Sequence, residues 1–432
     1  MSPTASLPTV SLRFAVASEI DPLRQVIVHT PGAELERVTP EQRLTLLFDD
    51  ILFLEEAQAE HRQLCALFEK VVGAEGAVLQ ITDLLRTAFA SEAAREAFVE
   101  QLCRLQPEAN LQAFARELAG LDPDDLLHFA LTGQSPLPLN AFPLPNLLFT
   151  RDLAAVVNDH LIVSHPATAV RARESLILRI ILEYHPGFAE LRDRIIYLPE
   201  GVTFEGGDLL VASPEIVLLG HSERTSLGGV AHVARALFSR TSVRHVLVVD
   251  LPKQRASMHL DTVFTFVSAD ECVVFPPILH QEGNVLHLTP GNTPEQFVTE
   301  MPTDLKTALE NLLDRSLTFI PCGGNNPIHQ QREQWTDGAN FFALAPGVVV
   351  GYERNHYTFE EMRRHGYRVV TAASFLSYYA ESPFEPGSEK LAIKLAGNEL
   401  SRGRGGPRCM TLPLARQTRT PEAGAAEPSK KH

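Results

Sequence analysis

Leu209-Leu-Val-Ala-Ser-Pro-Glu-Ile-Val-Leu-Leu219, followed by Ser226–Ser239 and His245-Val-Leu-Val-Val249, is the stretch from which the fold is read. Two β-rich runs split at Ser213-Pro214 predict a hairpin. The next segment has helical character, and the last is a short apolar strand. This strand-strand-helix-strand unit recurs. Hairpins are predicted at Leu153–Ser164 (turn Asn158-Asp159), Thr262–Phe275 (turn near Ala269-Asp270) and Phe341–Tyr352 (turn Pro346-Gly347). Their helices are Ala167–Tyr184, Pro294–Arg315 and Phe359–His365, and their closing strands Arg194–Leu198, Leu317–Ile320 and Tyr367–Val370. A fifth unit is split between the chain ends, with strand Arg24–His29, helix Ile51–Val72 and strand Met410–Leu414. Such repetition signals a repeat architecture. Pairing of the terminal strands is expected to close it into a propeller-like α/β ring without free sheet edges.

Residues 75–135 break the period and read as an all-helical insertion packed on the ring. Ala94, Phe98, Leu102 and Leu105 share one face, as do Leu111, Phe114, Leu118 and Leu121. Asp122-Pro123 opens a further helix that Gly133 closes. The expected organisation is a tail at 1–17, a catalytic α/β domain at 18–74 and 136–416, the insertion at 75–135, and a polar, aperiodic tail at 417–432 that reads as disordered.

With 432 residues, 44% hydrophobic and 21% charged, the chain has material for a large core, and global disorder is excluded. The net charge of −15 argues against nucleic acid or an anionic membrane as partner, while leaving room for a small cationic substrate. The five cysteines are scattered, without metal-finger spacing, which suits a reducing compartment. Met1–Asp21 lacks the pattern of a signal peptide, and no apolar run nears the ~20 residues of a membrane span. A soluble, cytoplasmic protein is expected.

Ahead of each hairpin stands a polar cluster foreign to a strand: Asn146–Asp152, Glu205–Asp208, Met258–Asp261 and Trp335–Asn340, with Arg404–Cys409 before the last strand. Equivalent places in a repeat lie at one end of a ring, so the five are expected to converge on one pocket. Cys409 follows a glycine-rich, arginine-bearing turn able to expose a thiol and lower its pKa. The other cysteines read as packing residues. A metal site from His259, Asp261 and Glu205 is conceivable, but no second histidine at ligand spacing supports it.

These motifs resemble the arginine deiminase family of the guanidine-modifying superfamily. Phe149-Thr-Arg-Asp152, Glu205-Gly-Gly-Asp208, Ser222-Glu-Arg-Thr-Ser226, Met258-His-Leu-Asp-Thr262, Arg332-Glu-Gln-Trp335 and Arg404-Gly-Gly-Pro-Arg-Cys-Met410 occur in order between about Ser18 and Arg416. The resemblance implies a five-fold pseudosymmetric α/β propeller. It also implies hydrolysis of free L-arginine to L-citrulline and ammonia, the first step of arginine catabolism, with no metal or organic cofactor. In the implied roles, Asp152 and Asp261 clamp the guanidinium and Cys409 attacks its carbon to give an amidino-cysteine adduct. His259 protonates the departing ammonia and then activates water, while Glu205 holds His259. Phe149 belongs to the substrate-binding set. The substrate carboxylate falls to Arg224 and one of Arg171 or Arg173, near Asn146. Arg404 is the gate, and Leu47-Phe-Asp-Asp50 lines the site. A homo-oligomer is implied.

Asp152 and Asp261 also oppose a thiolate before substrate binds, so Cys409 is expected to react faster with a guanidinium-bearing electrophile than with a neutral one. Departures from the family pattern are Asn325 and Asn326 in Cys322-Gly-Gly-Asn-Asn-Pro327, where an acid is expected, and His221. Rival functions are deimination of another guanidine, amidino transfer, and arginine binding without catalysis. A papain-like protease is disfavoured because the cysteine follows its histidine.

Overall fold

The computed structural model describes residues 11–106, 109–279, 283–293, 296–387 and 389–417. It is a mixed α/β fold with five separate sheets among the described residues. Four of the expected hairpins form: Ala154–Val157 with His160–Val163, Leu209–Ser213 with Ile216–His221, Phe264–Phe266 with Glu271–Val274, and Phe342–Ala345 with Val348–Tyr352. In each, the inner strand then pairs in parallel with a strand reached through helical chain: Ile195–Ile196, His245–Asp250, Thr318–Pro321 and Leu391–Leu395. The split unit forms as well. Leu23–Val28 pairs antiparallel with Leu412–Arg416 and parallel with Ala77–Gln80, after the helix Leu54–Val72.

Local chemistry explains the helix starts expected at Ser226 and Asp122. Ser226 Oγ accepts from Gly229 N at 3.1 Å to cap Leu227–Arg240. Asp122 accepts from Asp124 N and Asp125 N to cap Pro123–Thr132, which ends at Gly133 with φ +72°.

Several expectations need correction. The ring is not a closed sheet: the terminal strands pair, yet the five sheets stay distinct and none closes. The helix expected at Pro294–Arg315 is shorter, Leu305–Leu313, capped by Asp304. Phe297–Glu300 is instead a strand, paired with Val285–Pro290, and both extend the sheet of His245–Asp250. Arg368–Thr371 forms but lies at an edge; Leu391-Ala-Ile-Lys-Leu395 takes the place beside Val348–Tyr352. Burial explains the exchange. The Leu391 strand is a nearly continuous apolar run fit for two covered faces, whereas Arg368 and Thr371 are exposed. The insertion is not all helical, because Ala77–Gln80 belongs to the sheet of Leu23–Val28. Leu105, placed on its apolar face, is 46% exposed at a helix end.

The helices expected to form an insertion share one hydrophobic cluster with the sheets: Phe98, Phe89 and Leu102 pack in continuity with Ile177, Ile181 and Leu161. Phe89 and Phe98 meet edge to face at 5.2 Å. Residues 11–17 are no tail. Ala15 N donates to Leu414 O and Val16 N to Asn158 O, both at 2.8 Å. Residues 1–10 and 418–432 of the two expected tails lie outside the described residues. Among the described residues no helix is long and apolar enough to cross a membrane.

Candidate active site

Each polar cluster leads into the outer strand of a different sheet. Asn146–Asp152 precedes Ala154–Val157, Glu205–Asp208 precedes Leu209–Ser213, and Met258–Asp261 precedes Phe264–Phe266. Trp335–Asn340 precedes Phe342–Ala345, and Arg404–Cys409 precedes Leu412–Arg416. Short 3-10 turns at Thr150–Leu153, Gly206–Asp208 and Leu260–Thr262 carry Asp152, Asp208 and Asp261 inward. Five sheets thus present side chains to one buried place.

Cys409, His259 and Asp152 line a common cavity of about 20 Å³. His259 is 2% exposed; its Nε2–H donates to Glu205 Oε2 at 2.8 Å, and its Nδ1 lies 3.6 Å from Asp152 Oδ1. A Cβ on Gly207 would stand 2.7 Å from the imidazole Cγ, so the Glu-Gly-Gly-Asp turn needs glycine there. Cys409 Sγ is 3.9 Å from Asp261 Oδ2. Asn340 ties these two loops together: its Oδ1 accepts from Arg408 N at 3.0 Å and Cys409 N at 3.2 Å, and its Nδ2 donates to Asp261 O at 3.0 Å.

The two acids share a pattern. Asp152 Oδ2 accepts from Arg171 Nη1 at 2.7 Å, and Asp261 Oδ2 accepts from Arg408 Nη1 at 2.8 Å. Their other oxygens, Asp152 Oδ1 and Asp261 Oδ1, are buried without a hydrogen-bond partner among the described residues. A buried carboxylate oxygen left unpaired is costly unless a donor arrives. Two of them beside a thiol and an imidazole suit a planar cation with N–H groups on two edges.

Asn146, Arg171 and Arg224 also line the cavity, together with Phe149, Leu47 and Arg404. Arg173 is elsewhere. Its guanidinium donates to Phe142 O at 2.5 Å and Ala130 O at 2.9 Å, tying the insertion to the helix Ala172–Tyr184. Residues two apart on a helix point to opposite sides, so Arg171 and Arg173 cannot both face the pocket. Arg404 lies over the Trp335 ring, 3.6 Å from its centroid.

The electrostatics differ from the sequence reading at the thiol. Burial, then Asp261, Asp152 and Asp337, pushes Cys409 well above the ordinary thiol range, against a small opposing effect of the Gly406 N–H. The arginines of its turn do not outweigh these effects: Arg408 is held by Glu19 and Asp261, and Arg404 lies against Trp335. Burial alone would lower His259, but Asp152, Glu205 and Asp208 outweigh it and raise it to about 9. Glu205 falls to about 2: burial opposes this, and the His259 hydrogen bond, Arg171 and Arg224 overcome it. The resting pair is therefore imidazolium and carboxylate beside a neutral thiol. Asp152, Glu205 and His259 have donor atoms within 4.8 Å of one another, a spacing a metal ion would accept. Arg171 lies 2.7 Å from Asp152 and 3.5 Å from Glu205, and Arg224 3.7 Å from Glu205, so cations already occupy the charge a metal would need.

Sequence reading assigned no role to Arg408, Glu19 and Asn340. Arg408 was visible as the residue before Cys409, and Asn340 as the end of its cluster; Glu19 carried no local signal. Of the departures, Asn326 is explained, since its side chain caps Pro327–Trp335 by accepting from Ile328 N at 2.9 Å. His221 pairs with Asp250 at 2.8 Å near the surface.

The arrangement defines a guanidine-handling class, and comparison with solved structures agrees on the fold. An amidinotransferase of the saxitoxin pathway from Microseira wollei superposes with TM-score 0.54 at 14% identity, covering 94% of this chain and 98% of that one. The N-terminal domain of the cyanobacterial arginine dihydrolase ArgZ gives 0.51 at 14%, covering 92% and 98%. The family described as Arginine deiminase matches residues 44–126 and 112–416. Curated arginine deiminases of Bacillus thuringiensis subsp. konkukian and Latilactobacillus sakei are 36% and 34% identical, each covering 93% of this chain and 98% of the relative. The chain belongs to the arginine deiminase family.

Proposed function

We propose that this chain hydrolyses free L-arginine to L-citrulline and ammonia through a covalent amidino-cysteine intermediate. The observation that carries the reading is the pair of oxygens, Asp152 Oδ1 and Asp261 Oδ1, buried without a hydrogen bond among the described residues, with Asp152 lining the cavity of Cys409 and His259 and Asp261 Oδ2 3.9 Å from the Cys409 sulfur. The substrate guanidinium donates to both. Its positive charge offsets the two acids that hold the thiol protonated, so Cys409 gives up its proton to solvent only as substrate binds.

The Cys409 thiolate attacks the guanidinium carbon, and a C–N bond breaks with its electrons on nitrogen. The His259 imidazolium donates the proton that lets ammonia leave. Neutral His259 then takes a proton from water as that water attacks the same carbon. The C–S bond breaks, thiolate returns, the new hydroxyl loses its proton to solvent, and citrulline forms. Glu205 keeps His259 oriented and charged for the first transfer. Arg171 and Arg224, with Asn146, hold the substrate carboxylate, which favours arginine over guanidines lacking that group. Arg404 and Phe149 close the cavity. No step calls for a cofactor.

The finer architecture belongs to the same reading. Five site-bearing turns, each entering a different sheet, support a five-fold pseudosymmetric propeller with the site near its axis, and residues 75–135 as an insertion upon it. The five free cysteines support a cytoplasmic setting, and the family resemblance supports a homo-oligomer. A panel of arginine, agmatine, methylated arginine and peptidyl arginine tests the substrate assignment: citrulline from arginine, with agmatine at least about 100-fold poorer in kcat/KM, is the expected result. Equal turnover of agmatine would remove the carboxylate from the account.

A further inference from the structure

Trp335 is the single tryptophan of the chain, and it is 48% exposed even though a buried cation lies across it. The Arg404 guanidinium carbon sits 3.6 Å from the indole centroid, and Nη1 donates to the Trp335 backbone carbonyl. Other support for this guanidinium is thinner. Nη2 reaches Arg255 O at 3.5 Å, Nε stands 3.9 Å from Asp49 Oδ2, and Nε makes no hydrogen bond among the described residues. The backbone of Arg404 is left-handed, φ +66°, a conformation that a residue with a Cβ keeps only under external hold. Beneath the gate the cavity of about 20 Å³ has room for about one water, so a free amino acid cannot pass while the gate is shut. Arrival and departure therefore require the lining to open, and Arg404 is part of that lining.

We propose that Trp335 is the latch of this gate, a positioning residue that holds Arg404 closed and whose release sets the rate of ligand entry and exit. The proposal rests on the reading of the site as a guanidine pocket. Gln334 strengthens the placement: its side-chain amide donates to the carbonyls of Ala256 and Thr262, at 2.5 and 3.3 Å, on either side of His259 and Asp261. The latch is thus anchored to the loop that carries the chemistry. Loss of the ring face removes a cation–π contact, which corresponds to roughly 3- to 30-fold in the opening rate.

The test is time-resolved binding and release of labelled arginine by Cys409→Ala protein, which does not turn over. Adding Trp335→Leu is expected to raise both the association and dissociation rates roughly 3- to 30-fold, while Trp335→Phe, which keeps a ring face, stays near the parent. A Trp335 that merely supports the fold would give faster release with unchanged or slower association. That result, or identical rates in all three proteins, overturns the latch. Absence of arginine binding to the Cys409→Ala parent instead rejects the guanidine-pocket reading itself. Should Trp335→Leu not fold, the lone tryptophan of the Cys409→Ala protein reports directly. Its emission is expected to change on mixing with arginine, at a rate that levels off at high arginine because opening becomes limiting. A steady linear rise, or no change in emission, contradicts the proposal.

Discussion

Asp152 and Asp261 each accept from a neighbouring arginine through one oxygen and leave the other buried without a hydrogen bond among the described residues, and the residue-scale chemistry follows from that asymmetry. Burial and the two carboxylates raise the thiol, and the carboxylates favour a bound cation. Cys409→Ser is expected to lower citrulline formation by roughly 10³-fold or more with circular dichroism unchanged; retained turnover would eliminate the covalent route. A guanidinium-bearing electrophile should label Cys409 faster than a neutral one at pH 7, and equal rates would contradict the electrostatic account. His259 must be charged to expel ammonia. Its pKa is raised to about 9, so the charged form is present below that value and lost as pH rises through it. Citrulline formation should accordingly decline above about pH 9, and a rate still climbing well beyond that would count against His259 as the acid. The two neighbouring arginines separate cleanly. Arg171→Ala should raise KM for arginine at least about tenfold, whereas Arg173→Ala should leave KM nearly unchanged and lower stability by about 2–4 kcal/mol, because it frees buried carbonyls.

At the scale of elements, the helices between Ile81 and Thr132 join the sheets through one apolar cluster. Phe98→Ala, at a fully buried ring against Phe89, should cost about 3–5 kcal/mol and lower a single cooperative unfolding transition. Two separate transitions, with only the first moved, would mean that the insertion is an independent body. Elements were legible in the sequence where local signals are strong. The hairpin turns at Asn158-Asp159 and Pro346-Gly347, the Ser226 cap and the Asp122-Pro123 start all stand where their chemistry puts them. The clusters before each hairpin were legible for the same reason, since strongly polar residues interrupt a β pattern there. Pairing partners were not. Nothing in Leu391–Leu395 or Arg368–Thr371 taken alone says which lies inside the sheet, because that depends on what covers each face. Phe297–Glu300 was lost to the neighbouring helix pattern, and Ala77–Gln80 to the helices that follow it. Glu19 reaches Arg408 across 389 positions of chain, a contact that no local pattern encodes.

For the whole molecule, burial of so many charges at one place ties stability to pH. Glu19 and Glu205 are lowered to about 2 from an ordinary 4.5, so their contribution is present above 4.5 and lost as pH falls toward 2. Burial of Glu19 opposes its shift, and Arg408 and Arg151 outweigh it. His259, raised from 6.5 to about 9, stabilises fully below 6.5 and loses that contribution as pH rises through 9. Burial raises Asp208 to about 6 and Asp337 to about 7, which disfavours the fold increasingly as pH climbs from 3.8 to those values. The thermal midpoint is therefore expected to peak in mildly acidic solution and to fall between pH 6.5 and 9; a midpoint that rises across that interval would show that the network is not charged as described.

The central claim is that the sulfur of Cys409 bonds to the guanidinium carbon of arginine during turnover. Acid quenching at millisecond intervals, followed by mass mapping of the Cys409 peptide, measures this directly. The expected species is arginine less ammonia attached to Cys409, present only while substrate is being consumed. Active turnover with no such adduct at any sampled time, or with the adduct on another residue, would contradict the account.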